Sequence, residues 1–322
     1  MTESRTDLLF SGIVYCDLVF SGVAVPEAGT EVFAKAFSVT PGGVANRAVA
    51  GARLGASTAL LAELGDDVLG AHIRSLLEIE ANLDVSRVRT LPGRQSPVTV
   101  ALTGAHDRSF ITYEESLTDA ECQRRKTPPA GLGAVGVVHV ELAEPVPGWV
   151  AELRAGGTTV VGGVGWDSTG SWSSEVLDRL DGVDVFVPND LEAMRYTRTD
   201  DAHLAARALG EHTPLAVVTR GPRGVVAYDA GSGTMVETAA VAVPAVDPTG
   251  AGDVFVAALM VVLGRDWPLE QKLRFAGLSA SLSVMSLGGA ASAPVPEALV
   301  RFVEEQRPEG DWTFVSEWAA SL

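Results

Sequence analysis

The chain is poor in cysteine, in basic residues and in long apolar runs, and each shortage excludes something. Two cysteines in 322 residues, Cys16 and Cys122, make neither a disulfide framework nor a thiolate metal cluster. Such usage fits a reducing cytoplasm. Only 24 Lys and Arg stand against 41 Asp and Glu, giving a net charge of −17. A nucleic-acid partner needs a basic surface, so none is expected, and the charge reads as a solvated acidic exterior. The longest apolar run, residues 254–263, is about half the ~20 residues that a bilayer requires. The polar start MTESRTD has no signal-peptide core, so no membrane association is expected. Missing too is a Gly-x-Gly-x-x-Gly after the first apolar segment, which disfavours a dinucleotide dehydrogenase.

What the chain does have is hydrophobic bulk, at 47%, and 34 glycines. Its length suits about two domains of ~150 residues, or one large α/β domain. Residues 135–140, 158–161, 183–187, 215–218 and 225–228 are mostly apolar runs that alternate with helix patterns, except that 219–224 reads as a hairpin turn between the last two. Such runs are the pattern of strands buried on both faces of a parallel sheet. Ligands gather beyond the carboxyl ends of those strands. Glu141, Asn189, Thr219 and Asp247 fall at or just after such ends, so one edge collects four polar groups. Upstream, residues 8–14 read as a buried strand leading to Asp17, a carboxylate that is costly in apolar surroundings unless used. Residues 19–39 read as short strands, and 97–103 with 109–113 as a hairpin about a polar turn at 104–108. These segments can form a small sheet standing off the main one.

The centre of the chain is residues 243–260. An apolar, strand-like run and an apolar, helix-like run flank Asp247-Pro248-Thr249-Gly250-Ala251-Gly252-Asp253. Proline and two glycines forbid a continuous helix there. The amides of Gly250, Ala251 and Gly252 would open the following helix, and free amides at a helix start attract phosphate. Asp253 repels phosphate but can accept a proton from a hydroxyl that attacks one. A helix-capping acid beside a tight turn explains the same residues. Pro41-Gly42-Gly43-Val44-Ala45-Asn46 likewise reads as a cap and turn, or as amides and a carboxamide brought onto a substrate. Asp66 and Asp67 read as helix-start acids. Asn189 with Glu192 is close to a capping box, and the same oxygens suit hydrated Mg²⁺ near phosphates.

The string 247–253, with Ala257, Ala258, Leu259 and Met260 after it, resembles the C-terminal signature of the ribokinase-like (PfkB) carbohydrate kinases. Gly42, Gly43, Asn46, Ala48, Gly55 and Gly65 resemble the N-terminal signature, with Val44 where a small residue is usual. The resemblance covers roughly residues 8–305. It implies a three-layer α/β/α fold with a mostly parallel central sheet and a small β-sheet lid. One kinase domain would span 1–322, with lid segments at about 14–40 and 97–114 and a tail at 307–322 outside the resemblance. The implied activity is ATP-dependent phosphorylation of a hydroxyl on a small sugar or sugar-like acceptor. Asp253 would be the base, and the amides of Gly250, Ala251 and Gly252 would stabilise the phosphoryl group. Asp17, Gly42, Gly43, Asn46 and Glu141 would hold the acceptor, with Tyr113, Glu114 and Glu115 near it. Asn189 and Glu192 would organise Mg²⁺ through water. Asn189, Thr219, Gly221, Gly224, Ala280 and Ser283 would contact nucleotide, and residues 275–287 would be the helix walling the purine. Some members bind a monovalent cation such as K⁺ through the positions of Asp247, Thr249, Gly288 and Ser292. Ala276 stands where some members carry an Asn toward the nucleotide, and residues 161–164 lack the acid that many sugar kinases place there.

Alternatives stay open on the acceptor. An adenosine-type nucleoside needs an apolar slot; a sugar phosphate needs a basic clamp, for which only Lys35, Arg47 and Arg108 are candidates. A regulator of the same fold without turnover is a further alternative, against which the intact Asp253, Asn189 and Glu192 speak. Lids of this family often pair between subunits, which implies a homodimer. The tail carries Trp312 and Trp318 and can dock on its own chain or a partner.

Overall fold

The computed structural model describes residues 6–104, 108–286 and 288–322. The strands in chain order are β1 (Thr6–Ser11), β2 (Val14–Ser21), β3 (Ala36–Gly43), β4 (Thr58–Gly65), β5 (Leu83–Asp84), β6 (Val88–Leu91), β7 (Val98–Thr103), β8 (Arg108–Tyr113), β9 (Val135–Glu141), β10 (Thr159–Gly163), β11 (Val185–Phe186), β12 (Leu215–Thr219), β13 (Val225–Asp229) and β14 (Thr234–Thr238). The main sheet has the order β14-β13-β12-β11-β10-β9-β1-β4-β5, with β6 also paired to β4. From β12 to β5 every pairing is parallel, and β13 and β14 add an antiparallel edge.

The apolar runs explain the layers. Alternate residues of a strand face opposite ways. Val137, Val161, Val185 and Val217 therefore bury one face beneath the helices Val44–Arg53, Ala251–Val262 and Leu269–Ser283. Val138, Val160, Phe186 and Val218 bury the other face, against Trp149, Ala193 and Ala205. Both faces are covered, as continuous hydrophobic strands require.

The second sheet, in the order β3-β2-β7-β8, is the expected lid. Only its central pair β2/β7 is parallel. The two sheets divide the expected strand 8–14. β1 ends at Ser11 and a new strand starts at Val14 in the lid, so Asp17 lies inside a lid strand. The tip of the expected hairpin, residues 105–107, lies outside the described residues.

Two further expectations need correction. Residues 243–246 form no strand; β14 ends at Thr238 and an extended segment leads to Pro248. Asp247 therefore does not follow a strand end. The helix expected over 275–287 runs instead over Leu269–Ser283, and Leu287 lies outside the described residues. The tail docks on its own chain. Trp312, Phe314 and Trp318 pack with Trp267 and Phe275, and the Arg274 guanidinium lies 4.2 Å from the Trp312 ring centroid. Among the described residues no helix is long and apolar enough to cross a membrane.

Candidate active site

Two helix starts face each other at the carboxyl edge of the sheet. The helix Ala251–Val262 begins at Gly250, whose φ of 75° is a left-handed value that glycine takes without strain. Asp253 is thereby fixed in the first helical turn. The Ala251 amide reaches back to the Pro248 carbonyl at 3.3 Å, while among the described residues no backbone acceptor is found for the amides of Gly252 and Asp253. A Cβ at Gly252 would meet nothing within 4 Å, so a ligand can approach these amides closely. Asp247 is 1% exposed. Its Oδ1 accepts the Thr249 amide at 2.9 Å and its Oδ2 the Gly288 amide at 3.3 Å. It ties the two loops that were expected to hold a monovalent cation, which also include Ser292.

The opposing helix, Val44–Arg53, starts at Gly43. That glycine has φ 62°, and a Cβ there would lie 2.4 Å from the Ile13 carbonyl oxygen. The helix delivers Asn46 and Arg47 onto Asp253. Asn46 Nδ2 donates to Asp253 Oδ2 at 3.2 Å, and Arg47 Nε pairs with Asp253 Oδ1 at 2.8 Å. The Nη1 of Arg47 also forms an ion pair and hydrogen bond with Glu141 Oε1, and lies 3.4 Å from His139 Nδ1. Glu141 and His139 share a face of β9 because they are two residues apart.

Electrostatics follow from this crowding. Burial pushes the Asp253 carboxyl above its ordinary value, opposed by Arg47 and reinforced by Glu141. Burial also acts upward on Glu141, but Arg47 outweighs it and holds that carboxyl below its usual range. His139 is fully buried. Burial, with the adjacent guanidinium, lowers its pKa to about 3, so it is neutral. Facing an Arg donor, its Nδ1 serves as acceptor, which puts the ring proton on Nε2. A Cβ at Gly163 would sit 2.8 Å from that Nε2. The imidazole thus fills the space that any side chain at 163 would need.

The lid brings Asp17 over this cluster. Asp17 pairs with Thr40 across β2 and β3, and its carboxylate lies where a Cβ on Gly42 would be, at 2.2 Å. Burial first, and the negative charge of Asp253 second, raise the Asp17 pKa to about 7. Nearby, the Tyr15 hydroxyl donates to Glu114 at 2.8 Å. Glu115 pairs with Arg94 at 3.0 Å, and Tyr113 is half exposed.

On the phosphate side, Asn189 caps the helix Asp190–Thr197 in a complete capping box with Glu192. Glu192 Oε2 accepts the Asn189 amide at 2.8 Å, leaving Oε1 without a hydrogen bond among the described residues. Burial, opposed by that amide, raises the Glu192 pKa to about 7. A carboxylate with one fixed and one open oxygen fits a hydrated divalent cation. Asn189 is bridged to Thr219, which ends β12. The loop Gly221–Arg223 is a single 3₁₀ turn closed by Gly224, where a Cβ would lie 2.0 Å from the Thr238 carbonyl oxygen. The loop's arginines are engaged, Arg220 by Glu237 and Arg223 by Asp190. Ser283 is buried and its hydroxyl donates to the Ala280 carbonyl at 2.8 Å, so it offers no free donor. Asp67 is the expected N-cap, accepting the Gly70 amide at 2.6 Å.

Sequence reasoning missed His139, and weighed Arg47 only as a phosphate clamp. A lone His in an otherwise apolar strand, two residues before Glu141, was the available signal. Arg47 is answered by two carboxylates, so it is no free clamp for a phosphorylated acceptor.

A parallel sheet whose carboxyl edge is roofed by a separate lid, with a glycine-opened helix aimed into that cleft, defines the ribokinase-like fold. The chain matches the pfkB family carbohydrate kinases over residues 6–296 and belongs to that family. It is 29% identical to a ribokinase of Bacillus subtilis, with 86% of this chain and 92% of that one covered. It is 30% identical to a nucleoside kinase of Methanothermobacter thermautotrophicus, with 95% and 98% covered. Among solved structures, Arabidopsis thaliana ribokinase complexed with ribose and ATP superposes with a TM-score of 0.74 at 24% identity, covering 94% of this chain and 99% of that one.

Proposed function

We propose that this protein transfers the γ-phosphoryl group of ATP to a hydroxyl of a small, uncharged sugar or sugar-like acceptor, with Asp253 as the base. The observation that carries this is the meeting of Asp253 with Asn46 and Arg47, because it closes both signature loops around one carboxylate. Burial places that carboxyl above its ordinary value, closer to neutrality, as suits a general base. The amides of Gly252 and Asp253 lie at the positive end of a helix and receive charge from the transferring group. Mg²⁺–ATP, when bound, supplies the phosphoryl group and neutralises its oxygens. Glu192 and Asn189 hold the metal's waters. Thr219 and Gly221 line the phosphate path, and Ala280 walls the base. Asp17, Glu141 and Asn46 orient acceptor hydroxyls.

The acceptor side carries three carboxylates, Asp17, Glu141 and Asp253, against one guanidinium. That balance repels a sugar phosphate and tolerates a neutral polyol. Resemblance to both a ribokinase and a nucleoside kinase makes ribose-containing acceptors the first to screen. The test is Asp253→Asn, since Asn retains capping ability at a helix start. ATP affinity is expected to hold or tighten, while turnover falls about 10²-fold or more. Near-normal turnover would remove Asp253 from this role and leave it a structural acid.

A further inference from the structure

We infer that Arg47 is a positioning residue, whose guanidinium holds the base Asp253 and the acceptor-side Glu141 in one frame and keeps Asp253 ionised for proton transfer. The inference rests on the kinase reading for what the base does, but not for the geometry. Nε faces Asp253 Oδ1 at 2.8 Å, and Nη1 is shared by Glu141 and His139. Nε meets Asp253 as an ion pair without hydrogen-bond alignment, while Nη1 donates a hydrogen bond to Glu141, so one rigid guanidinium bridges two carboxylates as a point charge cannot. Arg47 itself is nearly buried, its side chain 14% exposed. His139 supports it from below as a neutral acceptor, and Gly163 leaves room for that ring. A protonated or absent His139 would leave Nη1 to Glu141 alone.

The charged and titratable groups around Asp253 come from four elements. The lid gives Asp17, the helix Val44–Arg53 gives Arg47, β9 gives His139 and Glu141, and behind Arg47 and Glu141, rather than on Asp253 itself, the helix Asp190–Thr197 gives Glu192. Arg47 is the one cation in that set, because His139 is neutral. Without it Asp253 would face only carboxylates in a desolvated cleft, and both effects favour the protonated acid. A protonated Asp253 cannot accept the acceptor's proton. Asn46 would still hold Oδ2, so orientation would be only half lost.

The experiment reads Asp253 directly, without substrate. In protein labelled with carbon-13 at the aspartate carboxyl carbons, the Asp253 resonance is identified by its loss in Asp253→Asn. Its titration midpoint is followed in the native protein, in Arg47→Met and in Arg47→Lys. The midpoint is expected to rise by about one unit or more in Arg47→Met, the usual effect of an adjacent opposite charge, and by less than half as much in Arg47→Lys. A midpoint that moves by less than about 0.3 unit in a folded Arg47→Met overturns the inference. If Arg47→Met does not fold, Arg47→Gln is compared with Arg47→Lys by the same criterion. With an acceptor in hand, the acid limb of kcat against pH should move up by the same amount; a merely structural role lowers kcat equally at every pH and also overturns it. A midpoint that shifts as expected in a protein with no ATP-dependent phosphorylation refutes the kinase reading and leaves this one standing.

Discussion

Replacing Asp17 with Asn should make the protein more stable above neutral pH, and the size follows from the carboxyl's surroundings. Burial and the charge of Asp253 raise this pKa from 3.8 to about 7. A raised carboxyl pKa means that the native state holds its proton more tightly than the unfolded chain does. Stability is therefore lost as pH rises from the unfolded value toward about 7, and the loss is complete above it. The difference, 7 − 3.8, is close to three units, so the full penalty is about 4 kcal/mol. Between pH 5 and pH 8 the same linkage gives about 2.5 kcal/mol. At about 2.1 cal/mol/K per residue over 322 residues, that is a Tm difference of about 4 °C. Asn keeps the size of the side chain over Gly42 but cannot ionise. The assay is thermal unfolding of native protein and Asp17→Asn at several values between pH 5 and pH 8. The gap in favour of Asp17→Asn should widen by about 4 °C across that range, because most other titrating groups cancel in the comparison. A gap that does not change with pH would refute the linkage, and with it the placing of an ionised Asp17 beside Asp253. Acceptor affinity should fall in the same variant, so the residue's retention would reflect binding rather than stability.

Two further outcomes are expected. Glu192→Gln retains the capping box, since Gln can accept the Asn189 amide, but loses the charge offered to the metal's waters. It should raise the Mg²⁺ concentration needed for half-maximal activity several-fold and, by the same linkage as for Asp17, raise Tm above neutral pH, because burial lifts the Glu192 pKa to about 7; an unchanged Mg²⁺ dependence would leave Glu192 a capping residue only. One face of the lid exposes Phe37, Ile111 and Tyr113, which the cross-strand register places on the same side. We infer a homodimer through the lid, so sedimentation at micromolar concentration should show a dimer that Ile111→Glu with Phe37→Glu dissociates; a native monomer would rule it out.

The sequence by itself determined the class of fold and the local form of the loops at Gly250 and Asn189. Nearly continuous apolar runs read as strands buried on both faces of a mostly parallel sheet, although the run 225–228 joins that sheet antiparallel as β13. Gly250, Gly43 and Gly224 sit at backbone angles or close approaches that other residues resist, so the loops they form are written locally. Asn189 and Glu192 are three residues apart, and their capping box needs nothing from the rest of the chain. Tertiary structure decided which side chains meet around Asp253. Asp17, Asn46, Arg47, His139 and Asp253 come from distant segments, Asn46 and Asp253 alone being 207 residues apart, and no local pattern states their pairing. The break at Ser11 was invisible because β1 and β2 are both apolar, and only their partners assign them to different sheets. Residues 243–246 read as a strand, yet among the described residues no strand pairs with them. Above all, the charge of Arg47 acquired its meaning from two carboxylates and one neutral imidazole. The cost of burying a charge depends on what lies within a few ångströms in space, and sequence order does not carry that distance.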